Sequence, residues 1–204
     1  MMIVLLDVNP FFWPFIEKIC MRYPAEETAV KHQRILQVAS VLFRERGFHS
    51  VSVNDVMKAS GMTKGAFYHH FESKEHLIAE CLRDASSKAL ARMATAEHSS
   101  EAMAEHIQDY VSDWHRDERG EGCLIAALGS EAAREEYVRP LFTQHVEGVL
   151  TSLMAPKAGA EDPSNRRNAI RTLSEMVGAI VLARAVDELG LSEEILREVR
   201  SSFE

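Results

Sequence analysis

A very short helix between two strong boundary signals constrains the fold of this chain more than any other feature. The run SVND at residues 52–55 matches a capping box, in which the Ser52 hydroxyl accepts from a backbone N–H and Asp55 reaches back. Gly61 permits the left-handed turn that ends this helix. A second short helix is expected from Thr63 to near Phe71, and such a pair is typical of a helix-turn-helix unit.

Helical periodicity continues along almost all of the chain after Pro24. The helix before the capping box is predicted to stop at Gly47, with Arg44 and Arg46 in its last turn complementing the helix dipole. Ser73 is expected to cap a long helix that follows the helix-turn-helix unit. No strand pattern appears, so the predicted fold is all-α, with an N-terminal three-helix helix-turn-helix head on an α-helical body.

The body is predicted to contain several longer helices. One begins near Ser99 and carries Tyr110 and Trp114 on the same face. The segment GCLIAALGSEAA at residues 122–133 begins another, which places Cys123 at a helix N-terminus. Residues 156–163 are expected to form a loop between a later helix and the last two helices.

These patterns divide the chain into three parts. Residues 1–24 are an apolar extension, 25–75 a helix-turn-helix domain, and 76–204 an α-helical body. The extension is too interrupted for a membrane span and lacks the basic start of a signal peptide. Two interpretations of it stay open: an extra segment docked on the body, or an artefact with Met21 as the true start.

Charge and cysteine content favour a cytoplasmic protein with one weakly basic module. The net charge is -8, but residues 31–78 hold seven basic against four acidic residues. DNA responds to this local field rather than to the sum, because salt screens charges within roughly 8 Å. Three scattered cysteines argue against a disulfide framework. We expect no membrane association.

The second short helix has the residue distribution of a DNA-recognition helix. Small or polar residues at positions 63–66 stand at its N-terminal end, where a helix in the major groove meets the bases. Phe67 and Phe71, four residues apart, are expected to anchor it to its scaffold. Polar residues further along are expected near the phosphate backbone: Tyr68, His69 and Lys74.

The motif G-x-T-K-G-A-F-Y-x-H-F-x-S-K-E-x-L resembles the DNA-binding domain of the tetracycline-repressor (TetR) family of bacterial regulators, over residues 31–78. The resemblance implies a homodimer whose heads bind a palindromic operator and whose bodies hold a small-molecule effector. It thereby implies that residues 25–75 are a DNA-binding domain and residues 76–204 a ligand-binding and dimerisation domain. It also implies that bases or nearby phosphates are contacted by Thr63, Lys64, Gly65 and His69. The DNA backbone would be held by Ser52, Tyr68 and Lys74.

These residues also allow interpretations other than DNA contact. His69 and His70 could be a metal pair, but adjacent helical residues diverge by about 100° and do not easily share an ion. We therefore predict no metal site and no cofactor, and we expect His70 to pack against the core of the head. For Tyr68, a half-buried structural role stays open.

A mixed set of aromatic, methionine and histidine side chains in the body suggests an effector pocket, since small-molecule sites combine apolar walls with a few polar groups. An ordinary interhelical core is the alternative for each of these residues. The candidate pocket residues are Met103, His106, Tyr110, Trp114, Cys123, Phe142, His145 and Met176.

Cys123 is a candidate thiol sensor. Its segment resembles one found in a branch of the same family that includes the N-ethylmaleimide-reductase repressor, and a helix N-terminus stabilises a thiolate. Simple packing of a small side chain is the alternative, and Glu121 would oppose a thiolate.

The last two helices, at 164–189 and 192–203 with Ser192 as a cap, suit the dimer interface that the resemblance implies. Gly178 and Ala179 would allow close helix approach there, and a core helix within one chain is the alternative. We interpret the chain as a DNA-binding regulator, most simply a ligand-responsive repressor, and not an enzyme. An all-α carrier or enzyme without DNA function is the alternative, although no catalytic motif is found.

Overall fold

The computed structural model describes residues 25–96, 99–154 and 163–203. Within these ranges it contains nine α-helices, one 3₁₀ helix and no strand, which confirms the all-α prediction. None of the helices in these ranges is both long and apolar enough to cross a membrane. The N-terminal extension, Cys20 and the loop predicted at 156–163 lie outside the described residues, apart from Pro163.

Three helices and one 3₁₀ helix form the N-terminal part: α1 (Ala25–Arg46), α2 (Val53–Ala59), the 3₁₀ helix (Lys64–His69) and α3 (Lys74–Ala94). The body continues with α4 (Ser100–Tyr110), α5 (Asp113–Asp117), α6 (Leu124–Ala132), α7 (Arg139–Met154), α8 (Pro163–Ala185) and α9 (Leu189–Ser201).

The predicted boundary signals of the head are confirmed. Ser52 and Asp55 form a reciprocal capping box at the start of α2. Gly61 has a φ of +74°, as expected for the turn between α2 and the 3₁₀ helix. Ser73 caps α3 by accepting from the backbone N–H of His76.

The second short helix is 3₁₀ rather than α-helical. Its i→i+3 hydrogen bonds run from the Ala66 N–H to the Thr63 carbonyl and from the His70 N–H to the Phe67 carbonyl. At six residues it is longer than most 3₁₀ runs, which seldom exceed about four residues. Phe67 and Phe71 are buried as predicted, so the anchoring pair survives the change of helix type.

Two predicted helix boundaries in the body are wrong. The helix that begins after Ser99 ends at Tyr110, because Ser112 accepts from the His115 N–H and caps a new helix, α5. The last helix begins at Leu189, before Ser192. Ser192 is buried and its hydroxyl donates to the Ala183 carbonyl, which joins α9 to α8.

Two hydrophobic clusters form the interior. The first joins α1, α2, the 3₁₀ helix and the start of α3 to α6 and the start of α7. The second joins the end of α3 to α4, α7, α8 and α9. Because α3 contributes to both clusters, the head and the body share a helix. The division of the chain at residue 75 stays a proposal.

The turn after α1 is fixed to the body by acidic side chains at the end of α6 and just beyond it. The Phe48 backbone N–H donates to the Glu131 carboxylate, and His49 pairs with Glu135 at 2.8 Å. Gly47 has a φ of +82° at this turn, and a Cβ there would lie 1.8 Å from Glu131 Oε1. The turn therefore requires glycine for its backbone conformation and for its space.

Replacing Gly47 with Ala is expected to lower the free energy of unfolding by on the order of 2–3 kcal/mol, from left-handed strain and displacement of Glu131. Chemical denaturation followed by circular dichroism measures this loss. Gly129→Ala is the matched control, since its added Cβ meets only Ile125 at an ordinary 3.8 Å. Equal stability of the two variants would contradict the prediction.

Candidate DNA-binding surface and effector cavity

One end of the molecule presents the predicted DNA-contacting residues together. Thr63, Lys64, Gly65, Tyr68 and His69 are all exposed on or beside the 3₁₀ helix, and Tyr68 is 67% exposed. This high exposure argues against the half-buried structural role of Tyr68. Within the described ranges neither Lys64 nor Lys74 forms an ion pair, so both ammonium groups are available to phosphates.

Buried aromatic rings hold this surface in place. The Tyr68 ring packs edge-on against Phe67 at a centroid distance of 5.3 Å. The ring of His70 lies 5.9 Å from the ring of His32 on α1, as the packing prediction requires. Burial lowers the pKa of His70, with help from His32. The hydroxyl of Ser52 is committed to the capping box, yet it is exposed at the same end.

A cavity of about 360 Å³ lies in the body beneath the head. Five of the eight predicted pocket residues line it, namely His106, Tyr110, Trp114, Cys123 and His145. The other three belong to the hydrophobic core: Met103, Phe142 and Met176. Trp114 stands on α5 and is 61% exposed, so it forms the outer edge of the cavity rather than its interior.

His115 organises the inner wall of the cavity. Its ring is 8% exposed, and its Nε2 accepts from the Cys123 backbone N–H at 2.7 Å, so this nitrogen carries no proton. Burial, followed by the charge of Arg184, lowers the pKa of His115 to about 4. Gly122 allows this packing, because a Cβ there would lie 2.9 Å from the His115 ring and from Arg184.

Two buried polar atoms at the cavity have no hydrogen-bond partner among the described residues: Nε of Arg44 and the hydroxyl oxygen of Tyr110. The other two nitrogens of Arg44 donate to the Gly120 carbonyl and, at 2.8 Å, to Ser40 Oγ. From the sequence, Arg44 is expected only to complement the helix dipole in the last turn of α1. The missed role had no sequence signal, because it depends on how α1 packs over the segment before α6.

The remaining histidines of the cavity are held neutral. His145 is buried and its Nδ1 lies 2.9 Å from Ser86 Oγ, and burial lowers its pKa. Burial likewise lowers the pKa of His106. At neutral pH these imidazoles supply polar contacts without positive charge.

Cys123 occupies the N-cap position of α6, which confirms its predicted place. Its side chain is half-buried, and the Tyr110 hydroxyl and the guanidinium groups of Arg44 and Arg184 are close enough to interact with it electrostatically. Cys81, by contrast, is buried with its thiol directed at the Leu36 carbonyl, and burial raises its pKa.

Comparison with known proteins gives a consistent result. Residues 35–81 match the family model described as bacterial regulatory proteins, tetR family. An uncharacterised HTH-type transcriptional regulator of Mycobacterium tuberculosis is 29% identical over 178 residues, which cover 83% of this chain and 92% of that protein. The transcriptional repressor KstR2 of Rhodococcus jostii is 43% identical over 63 residues, 29% of this chain and 31% of the repressor.

Solved structures share the fold over most of the chain. Reduced NemR of Escherichia coli superposes with a TM-score of 0.71 at 19% identity, covering 84% of this chain and 96% of NemR. A TetR-family regulator from Agrobacterium tumefaciens gives a TM-score of 0.71 at 24% identity, covering 85% and 97%. At these identities the likeness concerns the fold alone.

The low pKa of His115 predicts an acid-sensitive fold. The unfolded chain binds a proton that the native ring excludes, so the free energy of unfolding should fall as pH drops from about 6.5 to about 4. His115→Gln keeps an acceptor for the Cys123 N–H but cannot titrate. It should therefore remove the pH-dependent loss of unfolding free energy, which is on the order of 2–3 kcal/mol at about pH 4. Denaturant titrations of both proteins at several pH values measure the difference. Identical pH dependence would contradict it.

Proposed function

Because this chain belongs to the TetR family of bacterial DNA-binding regulators, and is not an enzyme, we propose that it is a ligand-responsive repressor that binds a palindromic operator as a homodimer. It would act in the cytoplasm, where its DNA target is found. The observation that carries the proposal is the exposed 3₁₀ helix, held by buried Phe67 and Phe71, beside two lysines without ion pairs.

The proposed DNA contacts follow from what this surface offers. Lys64 and Lys74 supply charge for phosphates, while Gly65 has open space around its Cα and allows close approach to the duplex. Thr63 makes no capping hydrogen bond with its side chain, so its hydroxyl is available to a base or phosphate. Tyr68 and His69 extend the surface along the helix.

The proposed dimer interface is the exposed apolar face of α8 and α9, which consists of Ile170, Val181, Leu182, Leu189 and Leu191. Val177 lies between them on α8 and is half-buried. A Cβ added at Gly178 would meet nothing within 4 Å, so a partner helix can approach there. Ala179, by contrast, is buried within its own chain. Of the two small residues, only Gly178 can therefore allow a partner helix to approach closely. Apolar patches of this kind mark protein interfaces.

The proposed effector response uses the connection between the cavity and the head. The first turn of α6 lines the cavity, and Glu131 near the end of α6 holds the turn after α1. A ligand that favours one position of α6 would therefore shift the population of head separations and change operator affinity. Thiol chemistry at Cys123 is a second route to the same shift, supported by its half-buried place on the cavity wall.

Removing the proposed phosphate and base contacts should weaken operator binding without unfolding the protein. Lys64→Ala and Tyr68→Ala are each expected to weaken binding by about 10-fold or more, and loss of the lysine should reduce the salt slope by about 1. Mobility shifts on the protein's own upstream DNA at several salt concentrations measure both. Lys88→Ala, whose exposed ammonium pairs with Asp84, is the control. Unchanged binding by the first two variants would refute this surface.

A charge placed on the apolar face of α8 should dissociate the dimer. Leu182→Asp buries a carboxylate in the proposed interface and is expected to give a monomer, measured by light scattering after size-exclusion chromatography. Val30→Asp makes a similar apolar-to-acidic change at an exposed position on α1 and should leave the mass unchanged. A dimeric Leu182→Asp variant would place the interface elsewhere.

A further inference from the structure

We infer that the cavity binds a small carboxylate with an apolar ring body, and that Arg44 and Tyr110 are the residues that recognise its carboxylate. The inference rests on the proposed function, in which this cavity is the effector site, and it names the chemical class of the effector. It is carried by the two unpartnered polar atoms at the cavity and by the distribution of charge around them.

Both unpartnered groups are hydrogen-bond donors. The Nε–H of arginine can only donate, and in Arg44 the other two nitrogens already have oxygen partners. Burial and then the neighbouring Cys123 side chain raise the pKa of Tyr110, so its hydroxyl stays protonated and can also donate. The Cys123 sulfur beside this hydroxyl is only a weak acceptor, and a ligand oxygen would be a stronger one. A buried donor without a partner is costly, so a ligand that supplies an acceptor to each would gain that free energy on binding.

The charge inside the cavity favours an anion. Arg44 lines the cavity and is bonded to carbonyl and hydroxyl oxygens. Arg184 does not line the cavity but donates to the carbonyls of His115 and Arg116 behind its wall. Neither arginine lies within ion-pair distance of a carboxylate in the described ranges. The three cavity histidines are kept neutral by burial. The cavity's own carboxylates, Asp109 and Glu121, are exposed at its edge together with Arg92, where water weakens their fields. Glu121 acts on Arg44 from this edge and offsets part of its positive charge.

The number of free donors and the apolar walls of the cavity restrict the chemical class of the ligand further. One guanidinium nitrogen and one hydroxyl match the two oxygens of a carboxylate, whereas a phosphate dianion would need more donors. The walls beside them are apolar, formed by Ala85, Ala89, Met93 and Leu124, with aromatic rings at Tyr110 and Trp114. A volume of about 360 Å³ suits one or two fused rings.

Arg44 also gives this ligand a direct route to the head. It belongs to α1, while its guanidinium reaches the cavity and holds the Gly120 carbonyl. A carboxylate bound at Nε would attract the end of α1 toward the ligand. Arg44, which would bind the carboxylate, therefore belongs to α1, the helix whose position the effector must change.

The experiment compares 2-naphthoate with 2-naphthamide, which has the same rings and no charge. Isothermal titration calorimetry on the full-length protein should give at least a ten-fold preference for the carboxylate. Arg44→Met should remove that preference while leaving amide binding unchanged, and Tyr110→Phe should weaken carboxylate binding several-fold. Arg46→Met, in the same last turn of α1 but exposed, is the matched control and should bind as the wild type does.

Folding of the variants is checked by circular dichroism and thermal midpoint. Tyr110→Phe removes only an unpartnered hydroxyl, so it keeps the test valid if Arg44→Met loosens the head. Equal affinity for the two compounds, no binding of the carboxylate at millimolar concentration, or a preference that survives both variants would overturn the inference.

Operator binding, measured separately, distinguishes this failure from failure of the proposed function. If carboxylate binding requires Arg44 but does not release DNA, the inferred ligand class is supported and the proposal of a ligand-responsive repressor is contradicted. Release of DNA by a neutral or cationic compound, insensitive to Arg44→Met, supports the repressor and overturns the carboxylate inference.

Discussion

The packing of α1 against α3 is the contact on which the rest of the structure depends. Ile35, Ala39 and Phe43 of α1 are almost fully buried with Leu77 and Ile78 of α3 in one cluster. Phe67 and Phe71 enter the same cluster, so the proposed DNA-binding surface has no independent core. Because the cluster also includes Leu124 and Leu128 of α6, the elements that carry this proposed surface and those that line the cavity are parts of one packed unit.

This arrangement explains how polar groups can connect two distant surfaces. The buried side chain of Arg44 and the carboxylate of Glu131 both cross from one element to another, and each holds a backbone group of its partner. Packed interiors do not deform continuously. A displacement of α6 at the cavity would therefore have to move the Arg44 and Glu131 contacts together. Leaving two donors unpartnered costs stability, which is consistent with a site that is completed by a ligand.

Local signals predicted most of the head, because its boundaries are made by residues next to each other in sequence. The capping box at Ser52, the left-handed Gly61 and the cap at Ser73 depend only on neighbouring backbone groups. The same kind of reasoning was wrong at Ser112 and Ser192. At Ser112 a second cap competed with helix continuation, and at Ser192 the hydroxyl was recruited by a carbonyl on another helix.

By itself, the sequence determined the all-α class and the helix-turn-helix order, and it indicated which residues are proposed to contact DNA, since periodicity, caps and glycine turns are local properties. Tertiary structure alone decided the cavity: it excluded Met103, Phe142 and Met176, and added Arg44 and His115. An unpartnered donor or an imidazole with a depressed pKa is created by what packs around it. Those neighbours come from helices far apart in the chain, and the order of residues does not show which of them meet.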